Sequence, residues 1–246
     1  MSRGLVCFDM DGVLVDHLST WEWVYNKLGL SNHEAYAAFQ AGEINEWEWI
    51  KYDLELIRGS LGPGMNDAAL VALLEDCPLM LNWRQSIQCL LDAGFEVAII
   101  SGGMQPVARR IAAAFPSSRP WRQRWGGLDR ATAMSDLDGA DSRIRVFTNG
   151  WLPDAAGSTP PVGRYQVQMI AKGALVEILQ RRLGIAVDRT TAIGDSRQDA
   201  SMFSAAGLSI AFNARHGELI AAADVHVLEK DLMLVSEAIL DKIPRV

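Results

Sequence analysis

Short apolar runs of strand length recur along this chain, and segments of helical pattern separate most of them. The runs lie at 4–9, 95–101, 144–148, 190–194, 208–212 and 225–228. Between two of them, apolar residues from Ile170 to Leu183 fall on one helical stripe, and Gly184 ends the predicted helix. Strands that alternate with helices form mostly parallel sheets with helices on both faces. The sequence therefore predicts an α/β fold with a Rossmann-like parallel sheet core.

One segment breaks this alternation directly after the first strand. Its patterns are helical only, at 20–29, 32–41, 45–59 and 66–75. Ser19 and Ser31 each precede a glutamate by three residues, which is a capping-box pattern and marks two helix starts. We predict that 16–79 forms a small helical cap domain, while 1–15 and 80–246 form the core.

A second irregular region, 116–165, is rich in Pro, Gly, Ser and Asp and forms an insert within the predicted core. The Asn149-Gly150 pair indicates a hairpin turn there. A loop of this length is functional or partly mobile. A basic aromatic patch within it contains Arg119, Trp121, Arg122, Arg124, Trp125 and Arg130. We interpret this patch as a solvated loop, with a phosphorylated substrate or nucleic acid as the alternative contact.

Composition excludes several classes of function. The chain has 246 residues, of which 49% are hydrophobic, so it can bury a sizeable core. Its net charge of −7 argues against a large nucleic-acid surface. No apolar run approaches the ~20 residues that cross a membrane. The three cysteines show no CxxC spacing and the N-terminus shows no signal-peptide pattern, so we expect a cytoplasmic protein.

The candidate site begins where the first strand ends. Asp9 and Asp11 lie one residue apart, and Gly12 follows directly. Ligands of open α/β sheets bind at the carboxyl ends of strands. Clustered carboxylates suit a hard cation such as Mg²⁺, and one of them can act as a nucleophile. The same residues are common in plain turns, so this motif alone leaves both interpretations open.

Three further spots follow strands in the same way. Ser101 and Gly102 precede a helix, whose free N–H groups attract anions, and a plain capped turn is the alternative. Lys172 begins a helix, where a cation is unfavourable without a nearby anion, although solvated lysines are common. Asp195 follows another strand, with Asp199 four residues on, and it suits either a metal or a helix cap.

Together these residues form an ordered set, Asp-x-Asp, Ser, Lys and Gly-Asp-x-x-x-Asp, at successive strand ends. The set resembles the haloacid dehalogenase superfamily, and in particular its phosphoserine-phosphatase-like branch. The likeness extends over almost the whole chain, including 101–103, 171–173, 199–214 and 223–232. It implies a phosphatase that hydrolyses a small phosphomonoester, with a small phosphorylated metabolite as partner and neither nucleic acid nor membrane. A homodimer is left open.

The resemblance also implies roles for the core residues. Asp9 is the nucleophile that becomes an aspartyl phosphate, and Asp11 protonates the leaving alcohol and then activates water. Ser101 and the Gly102 N–H bind phosphate oxygens, while Lys172 neutralises charge.

The implied cofactor is Mg²⁺. It is held by Asp9, Asp195 and the backbone carbonyl of Asp11, and Asp199 supports it directly or through water.

The chain differs from the phosphoserine-phosphatase-like branch at the positions where that branch binds its substrate. The cap glutamate that meets the substrate amine falls near residues 18–19, so that Glu22 is the nearest acid. The cap arginine that meets the substrate carboxylate falls near Asp53, with Lys51 two residues before it, and Gln198 replaces an asparagine. These departures put phosphoserine in doubt as the substrate. They leave Glu22, Lys51 and Gln198 as candidate substrate contacts.

His17 and four tryptophans complete the candidate cap residues. His17 is either a site residue at the cap hinge or an ordinary linker residue. The tryptophans are Trp21, Trp23, Trp47 and Trp49. We interpret them as packing the small core of the cap, although aromatic faces also hold sugars, apolar substrates or subunit contacts.

Two other functions stay open. A phosphotransferase uses the same residues and passes the phosphoryl group to an acceptor alcohol. A non-catalytic binding protein on this fold is the alternative from a different class. The presence of all the motif aspartates disfavours the second alternative.

Overall fold

The computed structural model describes residues 2–117, 142–152 and 162–244. Seven strands form one sheet: β1 Gly4–Phe8, β2 Phe95–Met104, β3 Ile144–Leu152, β4 Val162–Arg164, β5 Thr190–Gly194, β6 Leu208–Phe212 and β7 Val225–Val227. The spatial order is β4-β3-β2-β1-β5-β6-β7, and only the β3–β4 pair is antiparallel. The predicted α/β class with a Rossmann-like parallel core is confirmed.

The helices divide into an insert after β1 and a set that covers the sheet. The insert contains α1 Thr20–Leu28, α2 His33–Gln40, α3 Glu46–Leu61 and α4 Asp67–Leu74. The later helices are α5 Trp83–Asp92, α6 Gln105–Ala113, α7 Lys172–Leu183, α8 Ala200–Ala205, α9 Gly217–Ala222 and α10 Leu232–Lys242. Among the described residues, no helix is both long and apolar enough to cross a membrane.

Both faces of the sheet are buried. Along β1, Val6 and Phe8 belong to one apolar cluster, whereas Leu5 and Cys7 belong to a second cluster on the other face. Because successive side chains of a strand point to opposite faces, a sheet covered on both sides needs apolar residues at every position. This explains why the strands appear in the sequence as continuous apolar runs and not as alternating ones.

The helical insert packs on the same side as the first cluster. Val24, Leu54 and Ile57 from the insert join the cluster that contains Phe8 of β1. A helical cap inserted after the first strand is therefore confirmed as part of the fold. The domain bounds, with the cap at 16–79 and the core at 1–15 and 80–246, stay a prediction.

Of the two helix N-caps predicted in the cap, the structure supports one. Ser19 caps α1 as predicted and accepts a hydrogen bond from the Glu22 N–H at 3.4 Å. Ser31 is not a cap, because α2 begins after Asn32, which makes no side-chain capping bond. A reciprocal capping box lies instead at Asn45 and Glu48. The reciprocal pairing depends on side-chain geometry, which the bare spacing does not specify.

The antiparallel pairing predicted near Asn149-Gly150 is present between β3 and β4, but the turn does not lie at these two residues. Both residues lie within β3, and Gly150 pairs with Arg164 of β4. Glycine is needed there for close packing, since a Cβ at Gly150 would lie 1.6 Å from Gln105 Oε1, and its φ is 134°. The chain between β3 and β4 and the basic aromatic patch of 119–130 lie outside the described residues, as does most of the predicted 116–165 insert.

The apolar stripe also predicted too early a start for α7. This helix begins at Lys172, after a 3-10 turn at Met169–Ala171, and Ile170 is 67% exposed. Gly173 is buried instead, and a Cβ there would lie 2.2 Å from the Ser201 carbonyl oxygen. A lysine and a glycine therefore form part of the buried face of α7.

Candidate active site

The predicted site residues meet at one edge of the sheet. β1 lies between β2 and β5 and runs parallel to both. The carboxyl ends of these strands therefore carry Asp9, Ser101 and Asp195 to the same edge. Asp9 is 4% exposed and its N–H donates to the Ile193 carbonyl at 2.9 Å. This is the edge at which open α/β sheets bind ligands.

Lys172 lies at the centre of this group. Its Nζ is 3.0 Å from Asp9 Oδ1 and 2.7 Å from Asp199 Oδ1, and the side chain is 1% exposed. Although burial lowers the pKa of Lys172, Asp199 and Asp9 hold it above its usual value. The lysine therefore stays charged, and its position at the start of α7 is explained by the two carboxylates.

Asp199 fixes the loop after β5. Its Oδ2 accepts from the backbone N–H groups of Asp195 and Ser196, both at 3.1 Å. A Cβ at Gly194 would lie 2.3 Å from the Asp199 Cβ, so only glycine admits this approach. Asp199 thus positions both Lys172 and the Asp195 loop. The helix-cap interpretation of Asp195 is wrong, because Ser196 caps the next turn.

Asp11 is held by a residue that the sequence did not single out. Its Oδ2 accepts from the Thr20 N–H at 3.0 Å and the Thr20 Oγ1 at 3.1 Å, and that hydroxyl accepts from the Met104 N–H at 2.8 Å. Asp11 Oδ1 is buried and has no hydrogen-bond partner among the described residues. Burial raises the pKa of Asp11 to about 7 despite the bonds from Thr20. The group is therefore suited to exchange a proton near neutral pH.

The acidic cluster fits a divalent cation. One oxygen each from Asp9, Asp195 and Asp199 lies within 4.8 Å of the others. Burial and the Asp199 carboxylate raise the pKa of Asp9 to about 6, and burial and the Asp9 carboxylate raise the pKa of Asp195 to about 8. Lys172 alone does not balance the charge of these three carboxylates when they are ionised. Carboxylate oxygens are hard donors, which are the ligands that Mg²⁺ prefers.

Gly12 leaves the space that the Asp195 carboxylate occupies in the cluster. Its φ is +75°, in the left-handed region, and a Cβ there would lie 2.1 Å from Asp195 Oδ2. Glycine is required for both reasons.

The Ser101 segment lies beside the carboxylates. Ser101 is 2% exposed, and its Oγ accepts from the Gly103 N–H at 3.2 Å. The plain-cap interpretation of Ser101 is wrong, because α6 begins only at Gln105, after Met104. The Trp21 Nε1 donates to the Gly102 carbonyl at 3.1 Å, which ties the cap to this segment. The segment therefore borders both the carboxylates and the cap.

A family model for haloacid dehalogenase-like hydrolases matches residues 6–204. The chain belongs to this family. Curated relatives include a phosphoserine phosphatase from Idiomarina loihiensis, 29% identical over 94% of this chain and 91% of the relative. Another phosphoserine phosphatase, from Archaeoglobus fulgidus, is 25% identical over 87% of this chain, which spans only 53% of that longer protein.

The solved structures agree with this assignment at the level of the fold. A substrate-bound phosphoserine phosphatase complex matches with a TM-score of 0.69 at 21% identity, over 98% of this chain and 100% of the other. The predicted membership of the haloacid dehalogenase superfamily, in its phosphoserine-phosphatase-like branch, is confirmed. The interpretation of the chain as a hydrolase of phosphoric monoesters agrees with the family and with the names of these relatives.

In this haloacid dehalogenase-like chain a cavity of about 760 Å³ lies between the site and the cap. That volume is typical of small-molecule sites. Asp9, Asp11, Asp195, Ser101 and Lys172 form its floor. Glu22 and Gln198, two of the candidate substrate contacts, line it, and their role stays a prediction.

Two predicted substrate contacts lie elsewhere. The Lys51 ammonium lies 5.5 Å from the centroid of the Trp47 ring and does not line the cavity. His17 lies in an adjoining depression beside Arg215 and Lys230, which shares Leu18 and Glu22 with the cavity, and its ring contacts Trp23 edge-on.

The cap tryptophans divide into two pairs. Trp23 and Trp47 pack within the cap and against β4, since Trp23 Nε1 donates to the Leu73 carbonyl and Trp47 abuts Gly163. Trp21 and Trp49 also pack, Trp21 against the apolar cluster that contains Phe8 and Trp49 against Tyr36 and Phe39, but both line the cavity as well. Each Trp-Glu-Trp segment contributes one tryptophan to each pair, so only the folded cap separates them.

Proposed function

We propose that this chain is a Mg²⁺-dependent phosphatase that hydrolyses a small phosphomonoester through an aspartyl phosphate on Asp9. One observation supports this most directly. A fully buried ammonium, that of Lys172, lies 3.0 Å from Asp9 at the floor of a ligand-sized cavity, with Asp11 two residues on. A nucleophile, an acid–base group and a fixed positive charge are thereby placed together.

The proposed reaction has two steps. A carboxylate oxygen of Asp9 attacks phosphorus, the bond from phosphorus to the alcohol oxygen breaks, and Asp11 donates its proton to that oxygen. In the second step Asp11 takes a proton from water, and the water oxygen attacks phosphorus. Phosphate leaves and the Asp9 carboxylate is restored. The raised pKa of Asp11, about 7, suits both directions of proton transfer.

The surrounding groups balance the charge of the phosphoryl group. Ser101 Oγ and the Gly102 N–H bind phosphate oxygens, and Lys172 offsets the repulsion between the phosphate and Asp9. Asp9, Asp195 and the backbone carbonyl of Asp11 would hold Mg²⁺, with Asp199 supporting it directly or through water. When bound, the ion adds positive charge at the transferring phosphoryl group.

The first test is phosphate release from p-nitrophenyl phosphate and a panel of small phosphomonoesters with Mg²⁺. We expect Asp9→Asn to lower the rate at least about 10³-fold, since the nucleophile is lost, and EDTA to abolish turnover. The matched control is Asp16→Asn, because Asp16 is exposed and paired with Lys230 outside the main cavity. Retained activity in Asp9→Asn would contradict the proposal.

The intermediate and the acceptor need separate measurements. Acid quenching of the enzyme with phosphorus-labelled substrate is expected to trap a protein-bound phosphate that hydroxylamine releases, and Asp9→Asn is expected to trap none. Added alcohols separate hydrolysis from phosphotransfer. Capture of most of the phosphate by an alcohol would favour the phosphotransferase. The cytoplasmic location and the homodimer stay predictions.

A further inference from the structure

The cap side of the cavity is an aromatic wall. Five aromatic side chains line it, namely Trp21, Tyr25, Tyr36, Phe39 and Trp49. The Phe39 and Trp49 ring centroids are 4.6 Å apart, and those of Tyr36 and Trp49 are 5.8 Å apart. Aromatic faces carry negative potential and attract cations within about 6 Å.

A buried carboxylate lies in this wall. Asp53 of α3 is 4% exposed and lines the cavity. Its polar neighbours within the described residues are neutral donors, namely Asn32 Nδ2 at 3.4 Å, the Tyr25 hydroxyl and the Trp49 indole N–H. Burial raises the pKa of Asp53 to about 7, against the opposing influence of Tyr25, Asn32 and Trp49. No described Lys, Arg or His forms an ion pair with it.

The Tyr25 hydroxyl and the Trp49 Nε1 contact Asp53 only weakly. Both groups are buried and both oppose the rise in the pKa of Asp53, yet neither has a partner at ordinary hydrogen-bond geometry among the described residues. Tyr25 is itself only 4% exposed. A buried carboxylate normally has a cation or several strong donors, so a carboxylate with weak neutral donors alone in a cavity wall indicates a site for a positively charged group.

The charges of the residues that line the cavity indicate which kind of ligand group binds at the cap. From the cap, Glu22, Glu46 and Asp53 line the cavity, and no described cap residue of basic type does so. The cations near the cavity come from the core. Lys172 forms ion pairs with Asp9 and Asp199, and the exposed Arg197 forms an ion pair with the exposed Glu218. A substrate carboxylate would therefore meet like charge at the cap, whereas a cation would meet its complement.

We propose that the cap wall around Asp53 binds an organic ammonium group, so that the substrates are phosphomonoesters of amino alcohols. The phosphate lies on the floor at Lys172 and the ammonium lies against Asp53 and the aromatic rings. This inference names the substrate class of the proposed phosphatase and so rests on that function. It also assigns to Asp53 a binding role, near the position where the branch carries an arginine.

The test compares esters that differ only in charge. Choline phosphate and ethanolamine phosphate carry the ammonium, and 3,3-dimethylbutyl phosphate replaces the quaternary nitrogen with carbon. We expect kcat/KM for choline phosphate to exceed that for the carbon isostere at least about tenfold. We expect phosphoserine to fall below ethanolamine phosphate, because its carboxylate has no cation at the cap. The two ammonium esters compared with each other show whether the wall holds a quaternary or a primary ammonium.

Asp53→Asn supplies the variant arm. It is expected to remove the preference for the ammonium esters by raising the KM of those esters towards that of the carbon isostere. Glu55→Gln is the matched control, since Glu55 is an exposed carboxylate of the same helix and its side chain is 65% exposed. A preference for phosphoserine or for the carbon isostere, or a preference that survives Asp53→Asn, would overturn the inference.

A binding measurement separates this inference from the proposed reaction. Calorimetry with the Asp9→Asn variant compares choline phosphate with its carbon isostere without turnover. If no ester is hydrolysed but the ammonium ester binds more tightly, the inference holds and the phosphatase proposal fails. If p-nitrophenyl phosphate is hydrolysed and neither assay shows an ammonium preference, the inference fails alone. Equal binding of the two esters counts against it in every case.

Discussion

The Asp53 carboxylate should make the free protein less stable as pH rises. Its pKa rises from the usual 3.8 to about 7 on folding, because burial disfavours the charged form. The unfolded chain therefore releases this proton first, and the folded state loses relative stability between those two pH values. At about 1.4 kcal/mol for each pH unit, the cost is about 2 kcal/mol at pH 5 and about 4 kcal/mol at pH 8.

Asp53→Asn removes this titration while nearly preserving the shape of the side chain. We expect the variant to be more stable than the parent, with a gain that is about 2 to 3 kcal/mol larger at pH 8 than at pH 5. The assay is urea unfolding of the metal-free proteins at both pH values. Other titrating groups, Asp9, Asp11 and Asp195 among them, are common to both proteins and cancel in the comparison.

The control is again Glu55→Gln, whose effect should stay within about 0.5 kcal/mol at both pH values because the side chain is exposed. A gain for Asp53→Asn that is equal at the two pH values, or larger at pH 5, would refute the assignment of Asp53 as a buried carboxylate without a compensating cation.

Three further substitutions test the floor of the site. Lys172→Met leaves two buried carboxylates unpaired and should cost about 3–5 kcal/mol at pH 8 in urea unfolding, whereas Lys230→Met, at the exposed pair with Asp16, should cost under about 1 kcal/mol. Gly12→Ala should weaken Mg²⁺ binding at least about tenfold by calorimetry, because its Cβ would displace Asp195. Gly42→Ala, with φ +74° and open space around its Cβ, should leave Mg²⁺ binding unchanged. Thr20→Val should lower kcat about tenfold through Asp11, and Thr20→Ser should restore most of it. Unchanged Mg²⁺ binding in Gly12→Ala, or unchanged kcat in Thr20→Val, would contradict the site geometry.

The strand pattern was predictable because both faces of the sheet are buried. Apolar runs marked most strands closely, as at Thr190–Gly194 and Leu208–Phe212. The predictions ended too early at β2 and β3, which continue to Met104 and Leu152. The extension of β3 begins with a polar residue, Asn149, which is only 2% exposed, and an apolar pattern has no means of including it.

The floor of the site was predictable for a topological reason. Parallel strands end at one edge, so a residue that follows such a strand is placed there by the sheet alone, as Asp9 and Asp195 are. The cap wall depends instead on how four helices fold over that edge. Thr20 and Asp53 carry no motif, and their contacts arise only when the cap closes on the core. Sequence spacing could not distinguish Lys51, whose ammonium lies over the half-buried Trp47 ring, from Asp53 two residues later.

The carboxyl groups at the two ends of the cavity lack matching positive charge in the free protein, and burial therefore favours their neutral forms. At the floor, Asp9 and Asp195 have raised pKa values, and at the cap Asp53 has one as well. A ligand set that neutralises both ends contains a metal cation at the floor and an ammonium group at the cap, with a phosphate beside Lys172. Such an ester can bind in only one direction, because reversal would place the phosphate against Asp53. Asp53 thus lowers the stability of the free protein and, in the proposed complex, sets the orientation of the substrate. Such a balance between stability and function is expected where charge is buried for binding.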